Sequence, residues 1–205
     1  MGRLDDRRRR SELIKTAWLP VCLCFSACVA TRAPPPFTAP VAWELRLPAL
    51  QQTGDWALDG RAAASIGKQG WQASLAWRQQ GSTSELHLTG PLGLGASNVR
   101  VAPDGVSIDG APARDDARQV LQERLGVDLP FESLRFWLLG VPDPAQASTI
   151  TRNAEDRAQQ LIQSGWTVGI GRYLPVAGDW LPAQLTIQRD DVRLRIAVDH
   201  WDFPR

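Results

Sequence analysis

The chain has 205 residues, with 23 Lys or Arg against 22 Asp or Glu and 43% hydrophobic residues. That length suits one core plus a targeting segment and is cramped for two full domains. The near-neutral charge lacks the basic excess that nucleic-acid binding calls for, so nucleic acid is excluded as an expected partner.

The N-terminus is laid out as an export signal. A basic stretch with Arg7, Arg8, Arg9, Arg10 and Lys15 precedes an apolar run from Ala17 to Phe25, too short to span a bilayer. The run closes in Phe25-Ser26-Ala27-Cys28, which resembles the lipobox of bacterial lipoproteins, with Phe25 in place of the more usual Leu. The resemblance implies removal of residues 1–27 and lipid attachment at Cys28. Cys22 and Cys24 would leave with the signal, so the mature chain keeps one cysteine and can form no internal disulfide. The signal carries six basic and three acidic residues; subtracting them from 23 and 22 leaves 17 and 19, a mature net charge of −2.

Residues 28–42 form the next unit, the lipidated Cys28 followed by a segment rich in proline (Pro34, Pro35, Pro36, Pro40). It is expected to act as a semi-extended tether. The remaining residues, 43–205, form the folded domain. Trp43 to Gln52 is compatible with a short helix that Pro48 would kink or divide.

Period-two alternation then predicts strands. Trp56, Leu58, Gly60, Ala62, Ala64 and Ile66 share one face, Gly67-Lys68-Gln69-Gly70 turns, and Trp71, Ala73, Leu75 and Trp77 alternate with polar residues. Glu85 to Thr89 alternates again, a turn follows around Pro91-Leu92-Gly93, and strands lie near Ala96–Val101 and Val106–Asp109. The rhythm changes at Asp115, where Ala117, Val120, Leu121 and Leu125 fit a helical face ending at Gly126. A second helix is predicted over Phe131–Leu139, with Pro130 at its start and Gly140 past its end. Strands resume at Leu161-Ile162-Gln163, at Trp166, Val168 and Ile170, and at Leu185 and Ile187; Arg189-Asp190-Asp191 then turns into Val192, Leu194, Ile196 and Val198. Eight to ten strands and two short helices suggest a curved sheet whose concavity is incompletely filled, leaving an apolar cavity.

Catalytic constellations are missing from the sequence. The histidines are His87 and His200, no Gly-x-Ser-x-Gly elbow occurs, and no Cys or His cluster has metal-ligand spacing. Asp115-Asp116 and Asp190-Asp191 fit capping and turn chemistry better than paired acid and base. Gly169-Ile170-Gly171 lacks the third glycine of a dinucleotide loop and is expected to let a strand bend or another backbone approach. The chain is therefore expected not to be an enzyme and to need no cofactor or metal. Its abundant aromatic is tryptophan: eight of nine follow the signal, against one tyrosine.

From Trp43 to Trp201 the chain resembles the LolB family of outer-membrane lipoprotein-insertion proteins. The matching features, in order, are Gly60-Arg61, Trp77-Arg78-Gln79-Gln80-Gly81, Gly90-Pro91-Leu92-Gly93, Leu125-Gly126, Leu129-Pro130, Leu134 to Pro142, Gln163-Ser164-Gly165-Trp166, Leu181-Pro182, and a last strand ending at Trp201. Gly169-Ile170-Gly171, where a larger residue is expected, and Pro48 depart from the pattern. The resemblance implies a mainly β (α+β) fold, an incomplete antiparallel β-barrel whose concave face is covered by helices around an apolar cavity. It implies a receptor that accepts lipoproteins from a periplasmic carrier and inserts them into the outer membrane without nucleotide hydrolysis. Its partners would be that carrier, the acylated cargo and outer-membrane lipids, and it would act as a monomer. The similar carrier lacks a lipid anchor, so Cys28 favours the receptor, and Val29 in place of Asp after it implies the outer membrane, facing the periplasm.

Leu75, Trp77, Leu86, Leu88, Trp137, Leu138, Trp166, Leu194 and Ile196 are expected to build the apolar interior, some of them lining the acyl-chain cavity. In the Pro91-Leu92-Gly93 turn the family resemblance implies that Leu92 projects and delivers cargo to the membrane; the residues alone equally allow Leu92 to fold back as a core plug. Two alternatives stay open at this point: a lipid-anchored module for another apolar ligand, and a non-enzymatic envelope scaffold.

Overall fold

In the computed structural model the described residues are 42–91, 95–112 and 129–203. They form one sheet of eleven strands and two helices. Helix α1 (Trp43–Gln52) precedes β1 (Asp55–Ile66), β2 (Gln69–Gln80), β3 (Thr83–Thr89), β4 (Ala96–Ala102), β5 (Gly105–Ile108) and β6 (Ala111–Pro112). Helix α2 (Phe131–Leu138) precedes β7 (Ser148–Arg152), β8 (Ala158–Gln163), β9 (Trp166–Val176), β10 (Asp179–Arg189) and β11 (Val192–Asp202).

All pairings are antiparallel, in the order β6-β5-β4-β3-β2-β1-β11-β10-β9-β8-β7. The first and last long strands lie side by side at the centre, and each half of the chain builds one wing outward from them or back toward them. The sheet does not close: β6 and β7 are its two edges, so the barrel is incomplete. Alternation decides the faces. In β2 and β3, Leu75, Trp77, Leu86 and Leu88 are buried and their polar neighbours exposed, so one face is the core and the other is wet.

Turns fall at two ends of the strands. At one end lie the β1–β2 turn at Gly67, the β3–β4 connection at 90–95, and the turns at Ser164-Gly165 and Asp190-Asp191. The opposite end carries α1, which touches the β7–β8 and β9–β10 turns. There Arg46, 3% exposed, pairs with Asp179 at 2.9 Å and donates to the Trp180 carbonyl, while the Trp43 N–H donates to Asp156 at 2.9 Å. Tyr173 lies against this group, its hydroxyl donating to the Ala158 carbonyl at 2.6 Å, and burial pushes that hydroxyl up to about 12 against the opposing pull of Arg46 and Arg157.

Several expectations need correction. Pro48 does not divide α1, which runs as one helix with Trp43, Arg46 and Leu50 as its buried residues. Pro48 is on the exposed side, and it leaves the Glu44 carbonyl without its intrahelical N–H partner. There are eleven strands among the described residues rather than eight to ten; β6 and β7 are edges whose sequences show no apolar alternation. Gly169 and Gly171 have only ordinary contacts beside them, so no close backbone approach requires them, though the β9–β10 register slips next to Gly171. The close approach is at Gly60, where an added Cβ would lie 2.2 Å from the Ala197 carbonyl oxygen beside a register shift in the β1–β11 pairing. The helix predicted over 115–126 lies outside the described residues.

Candidate functional site

The inner face is built of large apolar side chains on facing elements. Leu75, Trp77, Leu86, Leu88, Trp137, Leu138, Trp166, Leu194 and Ile196 are all buried and belong to one cluster. They come from β2, β3, α2, β9 and β11, so the curvature brings both wings to one interior. Trp56 stands 6.0 Å from Trp77 and 5.4 Å from Trp201, Phe131 is 6.3 Å from Trp77, and Trp166 is 6.3 Å from Trp137. Helix α2 thus crosses the concave side from the β2 wall to the β8–β9 wall. Six of its eight residues are buried, which makes it an interior helix rather than a surface one.

Two buried glutamines gather the polar groups inside this face. The Trp137 indole donates to Gln163 Oε1 at 2.7 Å, and the same oxygen accepts the Asp143 N–H at 3.0 Å. Gln163 Nε2 donates to the Asp143 and Gln146 carbonyls, both at 2.9 Å. Across the sheet, Gln79 Oε1 accepts from Trp77 at 3.1 Å and from Ser84 at 2.7 Å. The indole N–H groups of Trp77 and Trp137 are therefore satisfied by buried glutamines, and that of Trp201 by the Pro182 carbonyl at 3.0 Å, while the rings stay apolar. Gln79, Gln163, Trp56 and Phe131 were absent from the expected site. The signal was available for the glutamines, since Gln79 is in phase with Leu75 and Trp77, and Gln163 with Leu161.

Around the β3–β4 connection, the Gly90 N–H donates to the Gly95 carbonyl at 3.1 Å, closing the base, and Pro91 is exposed. Leu92 and Gly93, like Cys28, lie outside the described residues. Among the described residues, the outer face carries two grooves of note. One of 590 Å³ is bordered by Arg61, Arg195 and Pro91; the other, of 540 Å³, holds both histidines among charged residues of both signs. His87 is exposed and bonded to Asn98 at 2.6 Å. Among the described residues no group of three His, Cys, Asp or Glu is placed to hold a metal ion.

This open antiparallel fold is shared with a solved LolA superfamily protein. The chain is similar to the crystal structure of such a protein from Nitrosomonas europaea, with a TM-score of 0.51 at 8% identity over 80% of this chain and 96% of that one. The family model described as "Outer membrane lipoprotein LolB" matches residues 54–201, and the chain belongs to that family. "Outer-membrane lipoprotein LolB" of Nitrosococcus oceani is 32% identical over 190 residues, covering 88% of this chain and 93% of the relative. Its namesake from Thiobacillus denitrificans is 28% identical over 198 residues, covering 95% and 97%. Membership places the chain among outer-membrane lipoproteins of lipoprotein localisation.

Proposed function

We propose that this protein is a receptor anchored to the outer membrane through Cys28, facing the periplasm, that takes acylated lipoproteins from a periplasmic carrier and inserts them into that membrane. The carrying observation is the inner face, a continuous tryptophan- and leucine-rich surface on both wings of an unclosed sheet, crossed by α2. Residues 1–27 are removed, 28–42 tether, and the remaining domain handles acyl chains as a monomer.

Each methylene withdrawn from water is worth about 0.8 kcal/mol, so several acyl chains together favour a membrane by tens of kcal/mol. Crossing the aqueous periplasm therefore requires an apolar host, and transfer runs downhill if each host binds more favourably than the last. The receptor need supply no chemistry and no nucleotide hydrolysis. Leu75, Trp77, Leu86, Leu88, Trp137, Leu138, Trp166, Leu194 and Ile196 supply the host surface. Pro91, Leu92 and Gly93 form the turn that enters the bilayer. Transfer in solution tests this reading: the purified mature domain without its anchor should take an acylated lipoprotein from the carrier, whereas failure to do so, in a folded sample, refutes it.

A further inference from the structure

We propose that residues 38–42, the end of the tether, add a further strand to the eleven described, pairing parallel to β7 along its open edge. The two edges of the sheet differ. β6 has two residues and ends in Pro112, which cannot donate to a ladder, so it offers a neighbour almost nothing. β7 has five residues, Ser148–Arg152, with neither proline nor lysine among them and with β-branched Thr149, Ile150 and Thr151 at its centre. Its bonding direction follows from the adjoining hairpin. Ser164 and Gly165, at φ 50° and 78°, make the two-residue turn between β8 and β9, so Gln163 and Trp166 bond each other. Direction alternates along a strand, which turns Ile162 and Gln160 toward their β7 partners Thr149 and Thr151. Ser148, Ile150 and Arg152 therefore point their N–H and C=O groups off the sheet, where no other described strand receives them. Ile150 is half-buried against the core cluster, so apolar surface borders this edge.

The place where the chain enters the domain decides the occupant. Arg152, the last residue of β7, bonds Glu44 at 3.3 Å and Asp156 at 2.7 Å, and Asp156 accepts the Trp43 N–H at 2.9 Å. The first turn of α1 is thus pinned to the end of β7. Ala42, whose carbonyl accepts the Leu45 and Arg46 N–H groups, leaves that turn in an extended conformation at φ −54° and ψ 142°. Counting back from Ala42, the segment as long as β7 ends at Thr38, and residues 33–42 carry no charge that the edge would have to desolvate. Pro40 and the pinned end together fix the register. The proline's missing N–H has to face away from β7, which places Pro40 beside Ile150, Thr38 beside Ser148 and Ala42 beside Arg152. Ile150 then donates its N–H to the Ala39 carbonyl and accepts the Val41 N–H, while Pro40 holds Ala39 extended and covers the half-buried isoleucine. So paired, the tether runs from α1 toward the end of the sheet that carries the Ser164-Gly165 turn and the 90–95 connection. Residues 28–37 reach about 30 Å further, so the anchor serves the end assigned to the membrane step. That consequence rests on the receptor reading above; the pairing itself does not.

Designed disulfides test the pairing in the full mature chain carrying Cys28→Ala, which holds no other cysteine. Thr38→Cys with Ser148→Cys should close within one chain, because neighbouring strands stand about 4.8 Å apart, inside the range that a disulfide spans. Ala39→Cys with Ser148→Cys puts the two thiols on opposite faces and should oxidise far more slowly. Hydrogen exchange gives a second readout without added cysteines. Val41→Pro removes the donor to the Ile150 carbonyl and should speed exchange of the Ile150 amide about tenfold, leaving Leu161 of β8 unchanged. Equal closure of both cysteine pairs would show a tether ranging freely, closure of neither would put it elsewhere, and crosslinked dimers would give the edge to a second copy. Each of these overturns the proposal, as does an Ile150 amide indifferent to Val41→Pro. Neither readout involves cargo or membrane. The pairing can therefore fail while the anchor at Cys28 and the Leu92 turn stand, and Leu92→Glu can insert cargo normally while the pairing stands.

Discussion

The indole N–H of Trp137 donates to the side-chain oxygen of Gln163 at 2.7 Å, with both residues at most 1% exposed. That bond fixes the interior helix to the β7–β8 hairpin and sets where α2 crosses the concave face. Gln163→Leu would strand the indole N–H, the Asp143 N–H and two carbonyls at once. Since each buried unsatisfied group costs about 1 to 3 kcal/mol, a total loss of about 3 to 5 kcal/mol is expected after partial relaxation. Trp137→Phe leaves the glutamine its other partners and should lose less. Urea unfolding of the two variants checks the order.

Gly60 is the tightest point of the central β1–β11 pair. Gly60→Ala drives a Cβ against a carbonyl oxygen of the neighbouring strand and should destabilise by about 3 kcal/mol or more, or fail to fold. Gly169→Ala, whose added Cβ would lie 3.9 Å from the Thr186 carbonyl oxygen, should stay within about 1 kcal/mol of wild type. Thermal unfolding of both distinguishes them, and equal effects would contradict the register of β1 on β11.

Much of this was legible in the sequence because one-faced strands betray themselves by alternation. Trp71 to Trp77 and Val192 to Val198 predicted their strands and their buried sides. Edge strands β6 and β7 were not legible, since a strand with little burial has no reason to alternate. Pro48 misled because a helix interior tolerates proline on a wet side, and wetness is a tertiary fact. The apolar members of the site were readable from periodicity. Gln79 and Gln163 were missed because a glutamine at an inward phase looks like a surface residue until its partners are seen.

Tyr173 is the sole tyrosine, so its ionisation has no rival tyrosinate signal. An unfolded tyrosine titrates near 10 and this one at about 12. Its folded value being raised, the associated stability is fully present below about pH 10 and is lost as pH rises through about 12. Tyr173→Phe should remove that alkaline loss, while costing about 1 kcal/mol at neutral pH for the bond to the Ala158 carbonyl. Denaturant midpoints measured between neutral and strongly alkaline pH check both.

The tether has a length requirement. Helix α1 and the 90–95 connection are at opposite ends of the sheet, and β1, with 12 residues, spans about 40 Å. From Cys28 to Trp43 the chain can extend about 50 Å. Deleting residues 31–38 leaves about 25 Å, so the anchored variant should stay on the membrane yet insert cargo poorly. Gly-Ser sequence of the original length should restore insertion. Normal insertion by the deletion variant would show that the turn and the anchor need not reach one membrane from opposite ends.

Delivery itself is the most direct test, with Leu92→Glu assayed for two separate steps. An apolar tip gains about 1.5 to 3 kcal/mol on full burial, and a carboxylate replaces that gain with a desolvation cost. The variant should fold, accept acylated lipoprotein from the carrier at the wild-type rate, and then fail to pass it into liposomes. Wild-type insertion by Leu92→Glu would contradict the assignment of the Pro91-Leu92-Gly93 turn to the membrane step.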